Sequence, residues 1–146
     1  MRYALAAVAL AVIPFSGALR AAEADVVGTW ITDGGDSRIR VAPCGQAYCG
    51  TIVWAKTNDI DRNNPDPAMR KRSVVGITLT KDMKPDGKGS LAGSMYNPEN
   101  GKTYDVTMRS QGREGLEVGG CVLGFLCGSE TWTRHHQETA SAAPSR

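Results

Sequence analysis

The sequence predicts an all-β fold, with eight antiparallel strands running up and down around a closed barrel. Three observations predict it. Short segments alternate apolar and polar residues with a period of two, the signature of half-buried strands. Gly, Pro, Asn and Asp clusters separate those segments at hairpin length. Helical periodicity is nearly absent. Eight sequential strands with short links favour an up-and-down barrel over a two-sheet sandwich, although composition alone does not separate the two.

The strands follow in order. The first, Val26–Thr32, opens on Gly28-Thr29-Trp30. In the second, Ser37–Pro43, Ile39 and Val41 alternate with Arg38 and Arg40. The third, Tyr48–Lys56, carries Trp54 on its apolar face. In the fourth, Val75–Asp82, Ile77 and Leu79 alternate with Thr78 and Thr80. The fifth is Ser90–Tyr96. The sixth, Lys102–Arg109, sets Tyr104, Val106 and Met108 against Thr103, Asp105 and Thr107. The seventh, Leu116–Val122, flanks Glu117 with Leu116 and Val118, and the eighth, Gly128–Arg134, flanks Trp132 with threonines. One helical turn is expected after Asp66-Pro67, since Asp suits the N-cap and Pro the first helical position.

A meander places its connections alternately at two ends. The turns around Cys44–Cys49, Pro85–Gly89 and Gln111–Gly115 fall at one end and are tight. The long Thr57–Val74 loop, the Asn97–Gly101 turn and the Cys121–Cys127 segment fall at the other, which is expected to be the functional mouth. Given that topology, cross-pairing of cysteines between the ends is excluded. A strand of about eight residues spans roughly 26 Å, and a disulfide tolerates Cα separations of only about 4.4–6.8 Å. Local bridges Cys44–Cys49 and Cys121–Cys127 follow. Zinc is disfavoured because the C-x2-C spacing is absent.

The N-terminus supplies the compartment. Arg2, the apolar run Ala4–Ile13 and the small-x-small site Ala22-Glu23-Ala24 follow the plan of a secretory signal peptide. The run is shorter than the roughly 20 apolar residues of a membrane span. Residues 1–24 are read as signal peptide, 25–134 as the barrel domain and 135–146 as a disordered tail. The product is then a periplasmic or secreted protein with no integral membrane segment after cleavage. An even count of four cysteines agrees with an oxidising compartment. The mature chain is close to neutral and has no Lys/Arg stripe interleaved with aromatics, so nucleic acid is not an expected partner.

Gly28-Thr29-Trp30 on the first strand and Thr131-Trp132-Thr133-Arg134 on the last resemble the calycin superfamily, which includes the lipocalins. The resemblance implies that Gly28, Trp30 and Arg134 are structural, with the Arg134 guanidinium stacked on the Trp30 indole at the closed end. A longer pattern is more specific. It comprises Cys49-Gly50-Thr51-Ile52-Val53-Trp54, Asp61-x-Asn63-Asn64-Pro65-Asp66-Pro67, Tyr96-Asn97-Pro98-Glu99-Asn100-Gly101-Lys102-Thr103-Tyr104 and Thr131-Trp132-Thr133-Arg134. In that order it resembles domain-of-unknown-function family 2147, from Val27 to Arg134. The resemblance implies a secreted bacterial protein with a lipocalin-like barrel, and no transferable activity.

An enzyme needs a nucleophile with a base, a metal, or paired acids. The only histidines, His135 and His136, stand at the edge of the tail, so no catalytic residue is assigned and the chain is not read as an enzyme. Asp59-x-Asp61-x-Asn63 begins like a calcium loop but lacks the Gly at its sixth position and the Glu at its twelfth. No metal or cofactor is assigned. The leading reading is a binding protein for a small lipid-like, hydrophobic or amphipathic ligand. Trp54 and Trp132 would form apolar walls, Glu130 an interior polar handle, and Arg70 or Arg72 a contact for an anionic group. Asn63, Asn64, Asp66, Tyr96 and Asn97 complete the expected mouth, although Asn and Asp there equally suit turn-making. The alternative is a filled barrel whose mouth loops bind another envelope protein or a second copy as a homodimer.

Overall fold

In a computed structural model, residues 25–122 and 124–136 are described. The expected signal peptide and most of the expected tail lie outside them. Eight strands pair in sequence order and close: β1 Gly28–Ile31, β2 Ser37–Cys44, β3 Ala47–Ala55, β4 Thr78–Pro85, β5 Leu91–Asn97, β6 Lys102–Gln111, β7 Gly115–Val122 and β8 Leu126–Arg134. Every neighbouring pair is antiparallel, and β8 returns to β1. The expected lipocalin-like barrel is the fold. The single turn of 3-10 helix, Pro67–Met69, starts where Asp66 accepts a hydrogen bond from the Ala68 N–H at 2.9 Å.

Alternation puts one residue in two inside. Trp30, Ile39, Val41, Met83, Leu91, Met108, Leu116 and Trp132 form the core. These large side chains fill the end where β1 starts and β8 stops. That end is sealed by the last residue of β8. Arg134 stacks on Trp30 with its guanidinium 4.2 Å from the ring centroid. Its Nη2 donates to the Asp25 carbonyl at 2.7 Å, its Nη1 to the Val27 carbonyl at 3.0 Å and its Nε to the Arg113 carbonyl. The Trp30 indole N–H donates to the Val26 carbonyl at 2.8 Å. Gly28 is required here for two reasons. Its φ of 148° is unfavourable for other residues, and a Cβ would lie 2.3 Å from Arg134 Nη1.

Irregularities in β3 and β4 move residues across the sheet. Ile39 pairs with Ile52, but the next residue back, Arg38, pairs with Trp54, so Val53 is an extra residue. In β4, Gly50 faces Thr80 while Thr51 faces Thr78. Asp82, at φ 56°, marks a further slip between Lys81 and Lys84, and Met83 ends up buried, as does Thr80. One inserted residue reverses side-chain parity beyond it. β4 runs Thr78–Pro85, starting later than the expected Val75. Leu79 leaves the interior position to Thr80, whose hydroxyl is buried without a hydrogen-bond partner.

Both disulfides are local. Cys44–Cys49 spans the β2–β3 turn, and Cys121–Cys127 joins register partners at the β7–β8 hairpin. Two residues of the expected tail, His135 and His136, are among the described ones. The His135 N–H donates to the Thr29 carbonyl at 2.8 Å, and the His136 ring meets the Glu114 carboxylate at 2.7 Å.

Replacing Trp30 with Ala removes the largest side chain of the closed end and the surface under Arg134. Chemical denaturation should show a loss of about 3–5 kcal/mol. Wild-type stability in that variant would mean that the Trp30–Arg134 stack does not seal the barrel.

Candidate functional site

The opposite end is built by the segments between β1 and β2, β3 and β4, β5 and β6, and β7 and β8. The 56–77 loop is the longest, and it is ordered from within. The Asp61 N–H donates to the Arg72 carbonyl at 3.0 Å and the Val74 N–H to the Asp59 carbonyl at 3.0 Å, so its two arms run side by side. Val74 and Ile77 tuck into the core.

Asp61 is the hub of this loop. It is fully buried (0% exposed) and accepts from four directions. The Tyr96 hydroxyl donates to Oδ1 at 2.6 Å. Asn64 Nδ2 donates to Oδ2 at 2.7 Å, and Arg72 Nη2 and Nε donate to Oδ2 at 2.9 and 3.0 Å. Burial by itself would raise the Asp61 carboxyl, but the bonds from Tyr96, Asn64 and Arg72 and the Arg72 charge outweigh it. They hold Asp61 below its ordinary value of 3.8. Burial and the Asp61 carboxylate push the Tyr96 hydroxyl up. Around the hub, Arg70 Nε donates to the Asn64 carbonyl at 2.8 Å, and Asn64 Oδ1 accepts the Asp66 N–H at 2.9 Å. Asn63 Nδ2 reaches the Glu99 carbonyl at 2.6 Å, tying the loop to the β5–β6 turn. Gly101 permits that approach, since a Cβ there would lie 1.9 Å from the Asn63 carbonyl oxygen.

Beside this scaffold, a cavity of about 430 Å³ opens at the mouth. Met95 and Asn97 from β5, Tyr104 and Val106 from β6, Val118 and Gly120 from β7, and Leu126, Gly128 and Glu130 from β8 all lie on the inward parity. Gly120 and Gly128 are register partners; a Cβ on Gly128 would meet nothing within 4 Å, whereas one on Gly120 would crowd Val106 at 3.1 Å, so it is Gly128 that leaves the space. Among the described residues, Glu130 is the only charged one lining it, and it accepts the Trp132 indole N–H. Tyr104 Oη accepts Asn100 Nδ2 at 2.8 Å, and Asn97 Oδ1 accepts the Glu99 N–H at 2.8 Å. A second depression, of about 360 Å³, lies across the loop among Asp36, Ile52, Asp59, Arg62, Val74 and Glu99.

The structure therefore divides the expected site residues. Asn97 and Glu130 line the cavity. Trp132 does not. It is packed in the core two residues below Glu130 and touches the cavity's chemistry through its N–H. Trp54 is turned outward by the β3 bulge. It is 37% exposed, with the Arg38 guanidinium 4.6 Å from its ring centroid. Asn63, Asn64, Asp66, Arg70, Arg72 and Tyr96 form the loop scaffold instead of facing the cavity. Arg70 and Arg72 are held by the Asn64 carbonyl and the Asp61 carboxylate, so neither stands ready over the mouth. Asp61 was missed as the hub. Its signal was the density of Asn, Asp and Arg around it in one loop, too much polar chemistry for turns alone.

Residues 28–134 match the bacterial family described as "Uncharacterized protein conserved in bacteria" (DUF2147). Among solved structures, protein HP1028 from the human pathogen Helicobacter pylori, described as belonging to the lipocalin family, is similar in fold. It has a TM-score of 0.67 at 24% identity, covering 75% of this chain and 82% of that one. No curated protein matches significantly.

Asp61 makes the loop acid-sensitive. A carboxyl lowered in the folded state contributes stability that is fully present above its ordinary value of 3.8. That contribution is lost as pH falls through the lowered value. Asp61→Asn should destabilise at neutral pH by about 1–3 kcal/mol and flatten the fall of the thermal midpoint at acid pH. Parallel acid profiles for wild type and variant would show that Asp61 is not the titrating hub.

Proposed function

Because the chain belongs to domain-of-unknown-function family 2147, whose members are described without an activity, we propose its function from its own geometry. It is a periplasmic or secreted binding protein that holds a small hydrophobic or amphipathic molecule in the barrel mouth. The observation that carries this reading is the cavity of about 430 Å³ at one end of a barrel whose other end is filled. Its size falls within the roughly 300–1,000 Å³ of small-molecule sites. Met95, Val106, Val118 and Leu126 supply apolar wall, and Glu130, Tyr104 and Asn97 supply a few polar atoms. Two disulfides in a small domain suit an oxidising compartment.

Binding, not catalysis, is the role this chemistry supports. His135 and His136 stand at the sealed end with Thr29 and Glu114, away from the cavity. Glu130 has no second acid or base beside it in the lining. A second reading is favoured by the hairpin tip, where Phe125 is 72% and Leu126 59% exposed. An apolar tip at the mouth suits contact with another envelope protein, through which a ligand would be handed on.

Gly128 supplies the test. A Cβ there meets nothing within 4 Å, and its φ is not in the positive range. Gly128→Leu should fill the cavity without strain. Titration with a neutral apolar dye such as N-phenyl-1-naphthylamine should show saturable binding to wild type and at least tenfold weaker binding to the variant. The thermal midpoint should stay within a few degrees of wild type. Equal dye affinity in a folded variant would remove the cavity as the site.

A further inference from the structure

We propose that the mouth cavity selects amphiphiles with a cationic, ammonium-type head, and that Glu130 is the residue that reads the head. This rests on the binding-protein reading above and adds the chemical class of its ligand.

None of the arginines of the 56–77 loop lines the cavity. Arg72 forms an ion pair with buried Asp61 at 2.9 Å, and Arg70 Nε is on the Asn64 carbonyl. Arg62 lies 3.8 Å from Asp59, three residues before it, with both side chains exposed. Releasing Arg72 to a ligand would strand a buried carboxylate, a costly exchange. Lys102 pairs in register with Asn97 at the rim but does not line the cavity.

Among the described residues, the cavity lining holds one charge, and it is negative. Glu130 lies on the inward face of β8, between Gly128 and Trp132. The Trp132 indole N–H is donated to Oε1, which orients the carboxylate from below and leaves Oε2 available to a donor above. Next to it, the side-chain oxygens of Asn97 and Tyr104 already accept bonds from the β5–β6 turn, so they steady the wall. Glu130 is exposed, and a carboxylate at the edge of an apolar space favours an ammonium over a carboxylate or phosphate through the sign of its charge. The apolar body would lie against Met95, Val106, Val118 and Leu126.

The experiment displaces the neutral dye with decylamine, decanol and decanoate below their aggregation limits, at pH 7 and low salt. Decylamine should bind about five- to tenfold more tightly than decanol, and decanoate more weakly than decanol. The amine's advantage should shrink as salt is raised. Glu130→Gln retains an acceptor for the Trp132 N–H and should bring the amine-to-decanol ratio close to one. Glu130→Lys should favour decanoate. Thermal midpoints of both variants check folding. Dye binding with a wild-type preference for decanoate would overturn the inference and point to Lys102. An amine preference that survives Glu130→Gln would overturn it as well. Absence of dye binding altogether would instead defeat the binding-protein reading on which it rests.

Discussion

Arg134 joins the two ends of the sheet. β1 is only four residues long and meets β8 through Trp30↔Arg134 and Ile31↔Thr133. So short a ladder closes a barrel weakly by itself. The guanidinium strengthens it by stacking on Trp30 and bonding to the carbonyls of Asp25 and Val27, in the segment leading into β1, and of Arg113 in the β6–β7 turn. A planar, permanently charged group with five donors suits this position, where a lysine would reach one or two of the partners. The backbone groups at the end of the sheet are satisfied, and large side chains can pack against a sealed floor.

Sealing one end leaves the other to differ. Below the level of Glu130, Trp132, Leu116, Met108 and Met83 fill the barrel across its width. Above it, Gly120 of β7 pairs with Gly128 of β8, and the space beside Gly128 is not occupied by protein. The cavity is thus a consequence of where bulk stops along two adjacent strands. Its depth is set by Trp132, which is both the top of the core and the donor that orients Glu130.

The long loop shows why charge near a site does not equal charge in it. Asp61 is buried with Tyr96, Asn64 and Arg72 as partners, and a buried carboxylate persists only when so compensated. The partners are thereby committed. The loop's arginines stabilise its shape, and the electrostatics of the cavity come from Glu130, on a strand that the loop does not touch through these bonds. A rigid scaffold beside an apolar opening with one oriented acid is the arrangement that results.

Local sequence determined much of this protein. Period-two alternation, turn residues and cysteine spacing specified eight strands, their order, the two hairpin disulfides and the end carrying the elaborate loops. They could do so because each depends on neighbours a few residues apart. Gly28, Trp30 and Arg134 were legible because their motif and strand positions bring them together once the barrel closes. The direction of individual side chains was not legible. The extra residue Val53 turned Trp54 outward, and a second slip set Thr80 inside in place of Leu79, because a bulge is a compromise between two paired strands and leaves no mark in either alone. Which polar residues face a ligand and which face each other was decided only by the tertiary structure. Asp61 and Arg72 meet within one loop, Tyr96 joins them from 35 residues away, and burial of that carboxylate, a property of the assembled fold, commits them to one another.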